Sequence, residues 1–266
     1  MENKIAVTTS HRGVAGLTDR ALKISADLNI PFIARDKTDL NRLLKDRGLQ
    51  GVIVVEKHRL LYKYSGGEFF FHPGMARLRI NEIKNGKTDQ MVNALDLRPG
   101  DNVIDCTLGL GSDSIVIAYV NKEGTVTGVE SSPVICLIVR EGLSEYNNDI
   151  DVDMKNAMRK IKVACSEHGM FLKKQLDNSA DIVYFDPMFR TPVKQSCAME
   201  AMRPLTNNLP LTKETIANAL RVARRRVVIK EARNSTEFAR LGISKICGGK
   251  HSHVAYGIIE KGGGCY

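Results

Sequence analysis

The residues of this chain with the clearest capacity for chemistry are Asp181-Ile182-Val183-Tyr184-Phe185-Asp186-Pro187-Met188-Phe189-Arg190. The apolar run reads as a buried strand, and Asp186-Pro187 ends it in a turn. In open α/β sheets ligands bind beyond the carboxyl ends of strands, which is where Asp186 would stand. A carboxylate there can accept a hydrogen bond from an exocyclic amine of a purine or pyrimidine. Such an amine is a poor nucleophile, because its lone pair is delocalised into the ring. A positioned acceptor orients it and bears part of the positive charge that develops as it attacks. Pro187 stiffens the turn, and its carbonyl or that of Asp186 can take the second N–H. Phe189 offers a flat face for a base to stack on. Asp186, Pro187 and Phe189 are therefore the candidate catalytic residues. In isolation the segment also reads as a plain Asp-Pro turn with Met188 and Phe189 packed in a core.

A second segment, Val103 to Gly111, runs from an apolar strand into a glycine turn. Gly109 and Gly111 have no β-carbon to keep the backbone from a ligand. The next helix begins near Ser112-Asp113, and its free amides can meet a polar or anionic group. Asp105 lies just upstream, within reach of a bound amino-acid moiety. Glu130 closes the following strand, where a carboxylate can accept both hydroxyls of a ribose. The four residues Asp105, Gly109, Gly111 and Glu130 suit a nucleoside-type cofactor. A nicotinamide dinucleotide fits the same features, except that its fingerprint places a third glycine where Ser114 stands. The bland alternative is a tight turn with Glu130 facing solvent.

Such loops need a sheet to hold them. Short apolar runs at 103–106, 125–129, 161–164, 181–185 and 226–230 alternate with helical stretches at 113–121, 133–146 and 212–223. That alternation predicts a parallel sheet. Residues 243–247 and 254–260 are joined by too short a link for a parallel crossover, so they predict an antiparallel hairpin. The fold class expected is α/β, a Rossmann-like sheet with an antiparallel C-terminal hairpin, plus a small N-terminal α+β domain. In that smaller part, 4–8, 51–55, 60–64 and 68–71 read as strands, with Ser65-Gly66-Gly67 as a hairpin turn. The regions 18–28 and 38–44 read as helices. The polar stretch 81–88 reads as the seam, giving domains of 1–82 and 83–266.

Lys and Arg outnumber Asp and Glu by 39 to 30, a formal charge of +9, which favours an anionic partner such as nucleic acid. Residues 1–82 hold 14 basic against 9 acidic side chains, so the small domain is the denser in positive charge and a candidate RNA-binding element. The cluster Arg221, Arg224, Arg225, Arg226, Lys230 and Arg233 reads either as a phosphate-contacting surface or as a solvated helix end leading into a strand. None of the six cysteines is spaced as C-x-x-C, and His251-Ser252-His253 has no acidic or cysteine partner nearby, so no metal is expected. The absence of a signal-peptide run and of any bilayer-length apolar run predicts a cytoplasmic protein with no membrane partner.

Taken together the motifs resemble the bacterial small-subunit ribosomal RNA guanine-N2 methyltransferases of the D-P-M-F type. The resemblance rests on D-x-T-x-G-L-G-x-D at 105–113, V-E-x-x-P-V at 129–134 and V-Y-F-D-P-M-F at 183–189. It extends to R-R-V-V-I-K at 225–230, G-K-H at 249–251 and a basic lead-in from Ala76-Arg77-Leu78-Arg79 to Gln90, and so covers roughly residues 75–260. It implies a class I methyltransferase that uses S-adenosyl-L-methionine, releases S-adenosyl-L-homocysteine and acts on RNA, either ribosomal RNA or the small ribosomal subunit. It also implies cofactor contacts at Ser112, Asp113, Glu130, Ser131 and Asp186, with Cys165 and Ser166 as a further pair. The chain departs from that family at Ser112, Ser131 and Arg190, where the family carries a basic residue, a basic residue and a proline. The other readings are an amine methyltransferase acting on DNA adenine or a small molecule, and a non-catalytic RNA-binding module of the same fold.

Overall fold

The structure, a computed structural model, describes residues 4–10, 16–35, 38–148, 150–187, 205–206, 209–250 and 252–262. Phe189, Met188, Arg190 and His251 lie outside the described residues. Contacts divide the chain into two units. Met1–His72 and Pro133–Tyr146 fall in the first, and Pro73–Ser132 and the described elements after Tyr146 up to Phe185 and from Lys213 onward fall in the second.

The first unit holds a sheet of β1 (Ile5–Thr9), β2 (Gly51–Val55), β3 (Leu60–Tyr64) and β4 (Gly67–Phe70), in that order. The β1–β2 pair is parallel, and the chain between them forms helices α1 (Leu17–Leu28) and α2 (Leu40–Arg47). The other pairs are antiparallel, and the expected hairpin closes with Tyr64 opposite Gly67. Asp39 starts α2 by accepting from the amides of Asn41 and Arg42 at 2.8 and 3.2 Å, which satisfies two otherwise unbonded donors. Alternate residues Val52 and Val54 of β2 pack with Ala6, Leu61, Leu43 and Leu44. Helix α6 (Pro133–Glu145) also belongs here, and it approaches Phe71 closely at Gly142. A β-carbon on Gly142 would fall 2.0 Å from Cγ of the Phe71 ring.

The second unit contains helices α3 (Gly74–Lys84) and α4 (Gln90–Leu95), then β5 (Asn102–Asp105), α5 (Ser112–Val120) and β6 (Thr125–Glu130). After α6 follow α7 (Val152–Lys160), β7 (Ile161–Cys165), α8 (His168–Lys173), β8 (Ala180–Phe185) and α9 (Lys213–Val222). The remaining elements are β9 (Ala223–Ala232), α10 (Glu237–Arg240), β10 (Lys245–Cys247) and β11 (Val254–Glu260). The seven strands run in the order β10-β11-β9-β8-β5-β6-β7. Strands β9 to β7 across that order are parallel, and β11 is antiparallel to both β9 and β10. This is the Rossmann-like sheet with an antiparallel end that the alternation predicts. Strand β8 is continuously apolar because it is buried on both faces: Ile182, Val183, Tyr184 and Phe185 are all fully buried.

The order of strands reverses at β5, which lies between β6 and β8. A crevice opens at such a point beyond the carboxyl ends of the strands. Parallel pairing also fixes which residues meet there. Phe185 is registered with Ile229, so Asp186 and Lys230 come next on neighbouring strands. Glu130 is registered with Cys165, and the Ser166 amide donates to the Glu130 carbonyl at 2.8 Å.

The polar stretch 81–88 differs from a linker. Its first half is the last turn of α3, and only residues beyond Lys84 leave the helix, with Gly86 at φ 78°. The helix persists because Ala76 and Ile80 are fully buried on one face, which leaves the polar residues on the other.

Replacing Gly142 by valine should force side-chain atoms into the Phe71 ring and destabilise the first unit by about 1–3 kcal/mol, the usual cost of overpacking a filled site. The check is the urea midpoint of the Gly142→Val protein, read by Tyr fluorescence.

Candidate active site

The glycine turn is built by hydrogen bonds as well as by its glycines. Gly109 and Gly111 have φ of 48° and 76°, a left-handed conformation that disfavours any side chain with a β-carbon. The Leu108 amide donates to the Val129 carbonyl at 3.0 Å, and Gly128 leaves room for the Leu108 side chain, which would lie 2.4 Å from an added β-carbon. The Gly109 amide donates to Glu130 Oε2 at 3.2 Å, and the Ser132 amide donates to Oε1 at 2.9 Å. The carboxylate expected to meet a ribose is thus aimed by the turn itself and by its own loop, where the Ser131 hydroxyl also donates to it at 3.3 Å. Burial raises the Glu130 carboxyl above the ordinary glutamate range, and the amide donors oppose that.

Asp105 is 1% exposed. It accepts from the Thr107 amide at 3.0 Å and from the Ser114 hydroxyl at 2.6 Å. Ser114, the position where a dinucleotide fingerprint would have glycine, is therefore a buried donor that ties α5 to β5. Burial pushes the Asp105 carboxyl up to about 7, against the pull of these donors. The Thr107 hydroxyl in turn accepts from the Asp186 amide at 2.6 Å, so the two chemically rich segments are joined directly.

Helix α5 begins after Gly111, a residue with no side chain to cap it, so Gly111 supplies no capping oxygen to the amides of its first turn. Ser112 is half-buried at that end. Asp113, beside it, is turned into a network: it pairs with Arg79, accepts from the Tyr184 hydroxyl at 2.7 Å and lies 3.4 Å from Lys230 Nζ. Burial alone would raise its carboxyl, but Lys230 and Arg79 outweigh it and hold Asp113 well below the usual carboxylate range. Arg79 is itself fixed by Asp89 at 2.8 and 2.9 Å.

Asp186 stands at the end of β8 with its side chain about a quarter exposed. Its Oδ2 accepts from Lys230 Nζ at 2.6 Å. Burial raises this carboxyl, Lys230 lowers it, and Asp113 raises it again, with the net result above the ordinary aspartate range. Pro187 follows, half-buried. The structure therefore brings Asp105, Gly109, Gly111, Ser112, Asp113, Glu130, Ser131, Cys165, Ser166, Asp186 and Pro187 to the carboxyl side of one sheet, while Phe189 lies outside the described residues.

The arginines of the basic cluster are engaged within the chain, although Arg224 and Arg233 are also exposed. Arg221 bonds Asp177 and the carbonyls of Leu172 and Gln175. Arg224 pairs with Asp181, Arg225 with Asp101, and Arg226 with Asp96 and Glu260. Arg233 bonds the carbonyls of Ser252 and Gly249. Lys230 lies in the site. Arg79, Tyr184, Thr107 and Lys230 were absent from the sequence-derived site. For Lys230 a signal exists, since counting β9 against β8 from the Asp186 turn places it opposite. For Arg79 nothing in the spacing points to Asp113.

Comparison with known proteins gives this geometry its family. The family model described as "Putative SAM-dependent methyltransferase" matches residues 68–253, well over half of the chain. This chain belongs to that family. The methyltransferase is 37% identical over 259 residues to the uncharacterized protein YpiP of Bacillus subtilis, covering 96% of this chain and 98% of that one. It is 26% identical over 249 residues to a protein of Coxiella burnetii named ribosomal RNA small subunit methyltransferase J, covering 88% and 89% of the two chains. A protein of the same name from Hydrogenovibrio crunogenus is 27% identical over 233 residues, covering 82% and 83%. The crystal structure of a SAM-dependent methyltransferase from Neisseria gonorrhoeae superposes with a TM-score of 0.65 at 16% identity, over 98% of this chain and 97% of the other, which shows a shared fold.

The cofactor is S-adenosyl-L-methionine, and the residues present fit it. The uncapped start of α5 suits the polar amino-acid end of that molecule, and the aimed carboxylate of Glu130 suits its ribose. Among the described residues no three His, Cys, Asp or Glu side chains group as a metal site, and no helix is long and apolar enough to cross a membrane.

The raised carboxyl of Asp105 has a consequence for stability. Its folded pKa, about 7, exceeds the ordinary 3.8, so the folded protein binds this proton more tightly than the unfolded chain does. Stability is therefore lost as pH rises from about 4 through about 7. Asp105→Asn should flatten that part of a plot of thermal midpoint against pH, and an unchanged slope would remove Asp105 as its source.

Proposed function

We propose that this methyltransferase transfers a methyl group to the exocyclic N2 amine of a guanine in small-subunit ribosomal RNA. The observation that carries the reading is Asp186, a half-enclosed carboxylate at the end of β8, beside the glycine turn and with one oxygen already held by Lys230. The relatives named ribosomal RNA small subunit methyltransferase J support the choice of RNA, as does the formal charge of +9.

Bound S-adenosyl-L-methionine supplies a methyl group on a positively charged sulfur, which keeps the bonding pair when the methyl leaves and so yields S-adenosyl-L-homocysteine. Glu130 accepts the ribose hydroxyls, helped by the loop residue Ser131, and the Gly109–Gly111 turn admits the backbone close to the ligand. Ser112 presents the start of α5, and Cys165 and Ser166 line the neighbouring strand end. Asp105 and Asp113 act by bracing these parts, Asp105 through Ser114 and Thr107, Asp113 through Arg79 and Tyr184. Asp186 accepts an N–H of the target amine, orients its lone pair and takes the proton that the nitrogen must shed once it is alkylated. Pro187 keeps that carboxylate at the strand end, and Phe189 supplies a stacking face for the base.

Glu130→Gln should weaken S-adenosylmethionine binding about tenfold to a hundredfold, the range for losing charged hydrogen bonds, measured by titration calorimetry. Asp186→Asn should slow transfer by about a hundredfold or more while the protein still binds the cofactor. Mass spectrometry of ribosomal RNA nucleosides from a strain lacking the gene should show one methylated guanine lost from the small subunit. The wild-type gene should restore it and the Asp186→Asn gene should not. An unchanged nucleoside profile in the deletion strain would overturn the ribosomal target, and restoration by Asp186→Asn would remove Asp186 from the chemistry.

A further inference from the structure

We propose that Lys230 is a positioning residue of the transfer reaction: seated between Asp113 and Asp186, its ammonium holds Asp186 Oδ2 and keeps that carboxylate ionised to accept the incoming amine. The inference rests on the reading of Asp186 given above and adds the residue that makes that carboxylate usable.

The placement follows from the sheet. β9 runs parallel to β8 with Ile229 opposite Phe185, so Lys230 reaches the same strand-end level as Asp186. Its side chain is about one-fifth exposed, and Nζ lies 2.6 Å from Asp186 Oδ2 and 3.4 Å from Asp113 Oδ2. Asp113 cannot swing away, because Arg79 and the Tyr184 hydroxyl hold it from two other elements. A fixed anion on one side thus aims the ammonium at Asp186 on the other. The other described cations of the same sequence cluster, at 221, 224, 225, 226 and 233, are engaged elsewhere, so this role is particular to Lys230.

The charge balance explains why the ammonium is needed. Among the described residues, the groups facing this point are Asp186 and Tyr184 from β8, Asp105 from β5, Asp113 from α5, Lys230 from β9, Tyr256 from β11, Arg79 from α3 and its partner Asp89. Burial and Asp113 both favour the protonated form of Asp186, and Lys230 opposes them through its charge and its hydrogen bond. A protonated Asp186 would be a weaker acceptor for the amine N–H and could not take its proton. Lys230 itself stays charged: burial works against its ammonium, and Asp113 and Asp186 more than compensate. In the step itself the N–C bond forms, the S–C bond breaks with its electrons left on sulfur, and the amine proton passes to the Asp186 carboxylate and then to water.

The test uses the full-length protein with S-adenosylhomocysteine bound, labelled with ¹³C at aspartate carboxyls, the Asp186 signal being assigned from Asp186→Asn. In Lys230→Met the titration midpoint of Asp186 should rise by about one to three pH units, the usual effect of losing an adjacent opposite charge. With small ribosomal subunits from a deletion strain as methyl acceptor, the acidic limb of kcat should move up by the same amount and activity should recover at alkaline pH. Lys230→Arg should keep both near wild type. A Lys230→Met midpoint equal to wild type, or a kcat reduced equally at every pH, would overturn the proposal. If Lys230→Met fails to bind the cofactor, Lys230→Gln is read in the same way. A measurement on the unmutated protein needs no variant to fold: the ¹⁵Nζ signal of Lys230 should shift at the Asp186 midpoint, and a signal indifferent to that titration would also overturn it. Full transfer by Asp186→Asn would instead point to failure of the underlying reading, so the two failures are distinguishable.

Discussion

The site depends on making three carboxylates compatible in a place with little water. Asp105 ends β5, Asp113 opens α5, and Asp186 ends β8, and like charges so placed repel strongly where the dielectric is low. Each is accommodated differently. Asp105 is fully buried among hydroxyl and amide donors, and its affinity for a proton is raised. Asp113 is overcompensated by an arginine and a lysine. Asp186 receives a single ammonium on a single oxygen and keeps partial exposure. That inequality leaves Asp186 the most exposed of the three, and the strand-end loops are held in relation to one another by the same bonds.

Much of this fold can be read from the sequence for a definite reason. Strands such as Ile182–Phe185 are buried on both faces, so they appear as unbroken apolar runs, and the turns that follow carry glycine, proline or acidic residues. Glu130 and Asp186 were visible because each terminates such a run. Lys230 is harder to read: it closes a run that begins with three arginines, and only the register of β9 against β8 sets it opposite Asp186. Arg79 was hidden for another reason: it meets Asp113 across 34 positions of chain, a contact that tertiary packing alone creates. The last turn of α3, within the polar stretch 81–88, reads as connection because the buried face of the helix is carried by little more than Ala76 and Ile80.

Positive charge on β9 and the end of α9 also has a use inside the chain. The arginines of β9 and the end of α9 neutralise Asp96, Asp101, Asp177 and Asp181 or cap carbonyls, which fixes strand ends and turns on the side of the sheet away from Asp186. Alternation of strand and helix along the chain likewise gives order but not grouping. Helix α6 follows β6 in sequence, as a crossover helix would, yet its contacts belong to the first unit, and α7 is the helix that leads into β7.

The position of β11 bears on how the second unit is made during translation. Strand β10 precedes β11 in the chain but pairs only with it, while β11 lies against β9 along seven residue pairs from Val254 to Glu260. A nascent chain that has emerged only as far as residue 253 has no partner for that side of β9 and no place for β10. The flank of the strand that carries Lys230 is then a bare edge, open to pairing with a neighbouring nascent chain. Completion of the sheet therefore waits for residues 22 to 34 positions further along the chain than their partners on β9. Until then the ribosome-bound intermediate depends on dilution or on chaperones that cover exposed edges.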